Sequence, residues 1–133
     1  MSLIERTDRD PLPAKKPKVL VQSHGIKNGP IPKSDWIVDC RVIQNPFRAL
    51  RGADLPALIR WCREKNAHII EAVTIMLQEG LLTMHDRRRD HTDALATPFV
   101  ITFLCAYGQH RSVAMKHILA ERIKELGYEV VVK

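Results

Sequence analysis

Cys105 and Arg111 are separated by five residues, and Ser112 follows directly, in the stretch Leu104-Cys105-Ala106-Tyr107-Gly108-Gln109-His110-Arg111-Ser112. A thiolate at Cys105 could attack phosphorus while the planar fork of Arg111 binds phosphate oxygens. The same residues could equally hold an anion without reacting with it. Either chemistry needs a loop that turns backbone N–H groups toward one point. The flanking residues supply the means: Phe99 to Leu104 is apolar throughout, and Met115, Ile118, Leu119, Ile123 and Leu126 form a helical stripe. Strand, tight loop and helix in that order aim a helix N-terminus at the loop, which suits an anion. Such a field lowers a thiol pKa.

The spacing is also that of the cysteine phosphatases, Cys-x5-Arg-Ser/Thr. A phosphatase would further need an acid for the leaving group. Asp39, Asp86, Asp90 and Asp93 are candidates, and none is placed by its position in the chain. The plainer alternative is a buried thiol that closes a strand. His110 could donate to a bound oxyanion or be a surface residue, and Gly108 would let backbone approach the ligand.

Two more segments carry suitable groups. Ser23-His24-Gly25-Ile26-Lys27-Asn28-Gly29 is a polar loop after a short strand, with Lys27 available to a phosphate. Asp39-Cys40-Arg41-Val42-Ile43-Gln44-Asn45-Pro46 places Asp39 and Arg41 on one side of a strand by alternation. There they could read a ligand, or form an ion pair with each other.

The elements that must position these residues follow from pattern. Residues 1–17 are charged and hold Pro11, Pro13, Pro17 and Lys15-Lys16, the composition of a flexible polar arm. A domain over 18–133 follows. Val19 to Val21 reads as a strand that breaks at His24-Gly25, and Trp36 to Val42 as a second strand, ended by Asn45-Pro46. Asp54 caps a helix striped by Leu55, Leu58, Ile59 and Cys62. Asn66 caps a second, striped by Ile70, Val73, Leu77 and Leu81, with Gly80 starting to fray its end. Residues 85–97 read as a surface loop containing Arg87-Arg88-Arg89. Gly127 terminates the last helix, and Tyr128 to Val132 forms a closing strand. The fold expected is α/β, a small and mostly parallel sheet flanked by helices, with the anion-binding loop at 105–112. Ligands in such sheets sit beyond the carboxyl ends of the strands.

With 133 residues the chain suits one domain. Its net charge of +6 favours anionic partners, phosphorylated metabolites or RNA among them. Three cysteines without a paired spacing, and no secretory leader, point to free thiols, a cytoplasmic protein and no structural metal. No apolar run reaches the ~20 residues of a membrane span, and no cofactor motif is present.

Ser23-x-Gly25-x-Lys27-x-Gly29, Trp36-Ile37-Val38-Asp39-x-Arg41-x-x-x-Asn45-Pro46 and Cys105-x-x-Gly108-Gln109-His110-Arg111-Ser112-Val113, in this order, resemble the C-terminal domain of the RNase adapter protein RapZ family. The resemblance covers about residues 18–133. The family's N-terminal P-loop domain has no counterpart, since no GxxxxGK[ST] motif occurs. The resemblance implies a sensor of a phosphorylated amino sugar, glucosamine-6-phosphate, with a part in binding a regulatory RNA. It implies a pocket of Asp39, Arg41, Asn45, Cys105, Gly108, His110 and Arg111, with Ser23, Gly25, Lys27 and Ser112 beside them, and a cysteine that binds rather than attacks. The family loop commonly begins Cys-Thr-Gly-Gly, where this chain has Ala106 and Tyr107. His24 stands at a position the family commonly fills with an aromatic. The family's basic C-terminal extension is not matched, so weaker RNA binding is expected.

Three functions are therefore carried forward: a phosphosugar-binding module without catalysis, a cysteine-dependent phosphatase using Cys105 and Arg111, and a basic RNA-binding module. A homo-oligomer is open.

Overall fold

A computed structural model describes residues 18–43, 54–88, 97–106 and 110–133. Four strands form one all-parallel sheet: β1 (Val19–Gly25), β2 (Trp36–Asp39), β3 (Phe99–Cys105) and β4 (Val130–Val132). Three helices, α1 (Leu55–Lys65), α2 (Ala67–Arg88) and α3 (Arg111–Glu125), complete the α/β architecture. The expected arm at 1–17 lies outside the described residues. No described helix is long and apolar enough to cross a membrane.

The strand order β2-β3-β1-β4 dictates the layers. Parallel crossovers are right-handed almost without exception. The step from β1 to β2 runs one way across the sheet; the steps from β2 to β3 and β3 to β4 run the other way. The first connection must therefore cross the opposite face from the helices. It does so as a short segment, residues 26–35. The Ser34 hydroxyl meets the Thr102 hydroxyl, and Gln22 Nε2 donates to Thr102 Oγ1 at 2.9 Å.

The other face is dry. Val19, Val21, Phe99, Ile101 and Phe103 project from it and pack with Leu58, Cys62, Ile70, Leu77, Leu81, Met115, Ile118, Leu119 and Ile123 from the three helices. Each such side chain contributes roughly 1.5–3 kcal/mol by leaving water. The strand face and the helix stripes were both legible as apolar periodicity.

Several boundaries differ from the sequence pattern. β1 does not break at His24; it runs to Gly25, because Gln22, Ser23 and His24 pair in register with Thr102, Phe103 and Leu104 of β3. β2 stops at Asp39 rather than Val42, and Cys40–Val42 forms a 3₁₀ turn. β4 starts at Val130, not Tyr128. α2 runs through Gly80 to Arg88, so neither the fraying at Gly80 nor the loop from residue 85 is found. Gly80 packs against the Trp36 indole, where an added Cβ would collide with Cζ3 and Cη2. The missing side chain serves helix–sheet contact, not termination. Asp54 does cap α1, its carboxylate accepting from Ala57 N at 3.0 Å, and Gly127 adopts φ 96° after α3.

Candidate functional site

β1 sends its chain one way across the sheet and β3 the other, so their carboxyl ends flank a crevice. This is the topological switch point of an open parallel sheet. Register pairs Gly25 with Cys105 there, and Asp39 with Leu104 beside them. All three sequence segments singled out for their chemistry thus end at one edge. The loops leaving β1 and β3 are joined directly, Lys27 N donating to Ala106 O at 3.0 Å.

α3 begins at this edge. His110 takes the N-cap position with φ −123° and ψ −72°, and its side chain makes no capping bond. The positive end of the helix dipole lies at this edge. Arg111, in the first turn, donates from Nη1 to the carbonyl oxygen of Arg41 at 3.1 Å. It spans from α3 to the turn after β2. No carboxylate among the described residues forms an ion pair with Arg111.

Asp39 and Arg41 meet, but not through strand alternation. The strand ends at Asp39, whose carboxylate caps the 3₁₀ turn by accepting from Arg41 N at 3.0 Å. That turn folds the Arg41 side chain back: Nη2 lies 2.7 Å from Oδ2 and Nε 3.0 Å from Oδ1. The hydrogen bonds from the Arg41 side chain hold the Asp39 carboxyl below its ordinary pKa. Both side chains are half exposed, at 54% for Arg41 and 43% for Asp39. The pair can still meet a ligand.

Cys105 is 3% exposed, and its Sγ lies 3.0 Å from Ser112 Oγ. Ser112 is fully buried. Thiol and hydroxyl thus tie the end of β3 to the first turn of α3. Cys40 is buried nearby, and desolvation pushes its thiol well above the ordinary range.

Pattern reading missed Lys116. It lies one helical turn below Ser112 and is 8% exposed, donating from Nζ to Ser23 Oγ at 3.2 Å and to Lys133 O at 3.0 Å. Burial lowers its pKa. The signal was present: a lysine between Met115 and Leu119, on the stripe that had to face the sheet. Ser23 is therefore held from below by α3. His24 Nε2 sits 3.0 Å from Gly29 O and braces the loop after β1. Asn45, Gly108, and Tyr107 with it, lie outside the described residues.

Ser23, Gly25, Lys27, Asp39, Arg41, Cys105, His110, Arg111 and Ser112 are thus gathered on one edge, with Lys27, Arg41 and Arg111 against the single carboxylate Asp39 among them. That balance suits an anion that is small enough to lie between two loops.

The chain is similar to a nucleotide-binding protein of Thermobifida fusca, 33% identical over 116 residues, covering 83% of this chain and 37% of the relative. It is similar to another from Laribacter hongkongensis, 30% identical over 122 residues, covering 86% and 41% respectively. A third, from Corynebacterium diphtheriae, is 31% identical over 114 residues, covering 81% and 36%. The chain thus spans about two fifths of the length of these relatives. The model of the RapZ C-terminal domain family matches residues 17–133, including every described element of the sheet, the three helices and the edge they form. The chain belongs to the RapZ C-terminal domain family.

Proposed function

We propose that this domain binds a phosphorylated small molecule, a phosphosugar such as glucosamine-6-phosphate, at the carboxyl edge of its sheet. The observation that carries this reading is the reach of Arg111 across the switch point to the Arg41 carbonyl, with no ion-pair partner of its own among the described residues. In this reading Arg111, His110 and the first amides of α3 hold the phosphate. Lys27 adds a point charge from the loop after β1, and Asp39, Arg41 and Asn45 meet the sugar hydroxyls or amine.

Cys105 forms part of the floor. Its burial and its contact with Ser112 favour binding over phosphatase chemistry. A regulatory RNA-binding role rests on the net charge of +6 and on the family, and adds nothing to the geometry of this edge. The relatives are named nucleotide-binding proteins, a name that applies to chains of more than twice this length.

Titration calorimetry with glucosamine-6-phosphate and with inorganic phosphate tests the reading. The parent chain is expected to bind the sugar phosphate more tightly than phosphate. Arg111→Ala is expected to weaken both by about 10²-fold, the worth of a lost charge-assisted pair of ~2–3 kcal/mol. Equal affinity in parent and variant would overturn the site, and turnover of an aryl phosphate lost in Cys105→Ser would instead make the domain an enzyme.

A further inference from the structure

Two of the three free cysteines stand side by side at the carboxyl ends of β2 and β3. Register pairs Asp39 with Leu104, and one further step sets Cys40 opposite Cys105. The 3₁₀ turn begins at Cys40, so its position is still set by the extended Asp39 before it. Side chains alternate along a strand. Cys40 therefore follows Trp36 and Val38, and Cys105 follows Ile101 and Phe103, onto the helix-covered face. Adjacent strands lie ~4.8 Å apart, and a disulfide joins Cα atoms roughly 4.4–6.8 Å apart. The pair can thus be bridged with little backbone movement. After desolvation, the next cause of the raised Cys40 pKa is the neighbouring Cys105 thiol. Cys62, in α1, is raised by desolvation alone.

We propose that Cys40 and Cys105 form a dithiol that a hydroperoxide oxidises to an intramolecular disulfide. The two sulfurs have different surroundings. Cys105 Sγ lies 3.0 Å from Ser112 Oγ, at the N-terminal end of α3, where a hydroxyl and the helix dipole both receive negative charge on sulfur. Cys40 is 1% exposed, and its burial keeps the proton on its thiol. Cys105 is therefore the sulfur that attacks first, and Cys40 the one that resolves. Cys105 is itself only 3% exposed, which favours an oxidant as small as hydrogen peroxide over a bulky disulfide.

The steps balance. The Cys105 thiolate attacks one peroxide oxygen. An S–O bond forms, the O–O bond breaks, and the leaving oxygen takes up a proton as water or an alcohol. Sulfur is oxidised by two electrons to the sulfenic acid, and the peroxide is reduced by two. The Cys40 sulfur then attacks the sulfenic sulfur. The S–S bond forms, the S–O bond breaks, and the hydroxyl departs with the Cys40 proton as a second water. The bond draws Cys105 Sγ from Ser112, and replaces a contact between β3 and α3 with a covalent link between β3 and the turn that carries Arg41. This chemistry does not depend on whether the edge receives an anion.

The test is to expose the folded chain to micromolar to millimolar hydrogen peroxide, then unfold it and alkylate the remaining thiols. The parent is expected to lose about 2 Da in intact mass, the signature of one disulfide. One thiol of the three should remain open to alkylation, and it should be Cys62. Peptide mapping should recover the Cys40 peptide joined to the Cys105 peptide, and dithiothreitol should separate them. In Cys40→Ser the reaction should stop at the sulfenic acid of Cys105, which dimedone traps. In Cys105→Ser, Cys40 should stay a thiol. The mapping of the parent needs no variant, so a substitution that fails to fold does not remove the test. A parent that keeps all three thiols at millimolar peroxide overturns the proposal. So does a disulfide that includes Cys62 or joins two chains, or a Cys105→Ser variant whose Cys40 oxidises as readily as the parent pair.

Discussion

The helix-covered face of the sheet and its carboxyl edge are built from the same strands but obey different rules. On the covered face, Val19, Val21, Ile101 and Phe103 are at most 1% exposed and belong to the hydrophobic core. At the edge, where β1 and β3 end, the chain turns to Gly25, Lys27, Cys105 and Arg111, and contacts become single hydrogen bonds such as Lys27 N to Ala106 O and Arg111 Nη1 to Arg41 O. The contrast teaches where stability and recognition are separable. Substitutions on the face should unfold the domain, whereas those at the edge should leave it folded and change what it binds.

The largest expected effect tests the face. Phe103→Ala removes a fully buried ring and should cost about 3–5 kcal/mol, read as a lower urea midpoint. A loss under ~1 kcal/mol would mean the face does not carry the fold. Gly80→Ala comes next. Its Cβ would collide with the Trp36 ring, so the ring or α2 must shift, at a cost of about 1–3 kcal/mol despite alanine's better helix propensity. Unchanged or raised stability would show that the helix does not approach so closely.

Arg111→Ala sharpens the comparison from the other side. Its denaturation midpoint should stay within about 0.5 kcal/mol of the parent, because it removes one exposed hydrogen bond. The stabilisation of the parent by saturating sugar phosphate, ~2.7 kcal/mol at a hundredfold excess over the dissociation constant, should vanish. Arg111→Lys should recover only part of it, since the point charge returns without the fork.

The smallest effect is electrostatic. Asp39 has a folded pKa below its unfolded one, so its pairing with Arg41 favours the folded state above the unfolded pKa, ~3.9. That contribution should disappear as pH falls below about 4 through the folded value. In Asp39→Asn the acid limb of the stability profile should be slightly shallower, and an identical limb would show the pair to be inert.

Much of this division could be read from residue order alone. β3 and α3 were visible because each keeps one period over its whole length, and Asp54 and Gly127 because capping chemistry is local. What escaped depends on distant partners. The strand character of Gln22 to His24 comes from pairing with β3, eighty residues away for Gln22 and Thr102. Gly80 looked like a helix end because the pattern contains no trace of Trp36 above it. Asp39 and Arg41 were expected together for a reason that fails, since a turn and not a strand joins them. Lys116 was hidden among apolar neighbours, and only the fold shows that Ser23 and the Lys133 carbonyl accept from it.

The central claim is that the switch point between β1 and β3 receives a phosphorylated ligand. The most direct measurement is amide chemical-shift mapping of the isotopically labelled chain during titration with glucosamine-6-phosphate. The account predicts saturable shifts concentrated at Gly25, Lys27, Cys105, Ala106 and His110 to Val113, with the amides of α1 and the middle of α2 unmoved. Shifts centred elsewhere, or none at millimolar ligand, would contradict it.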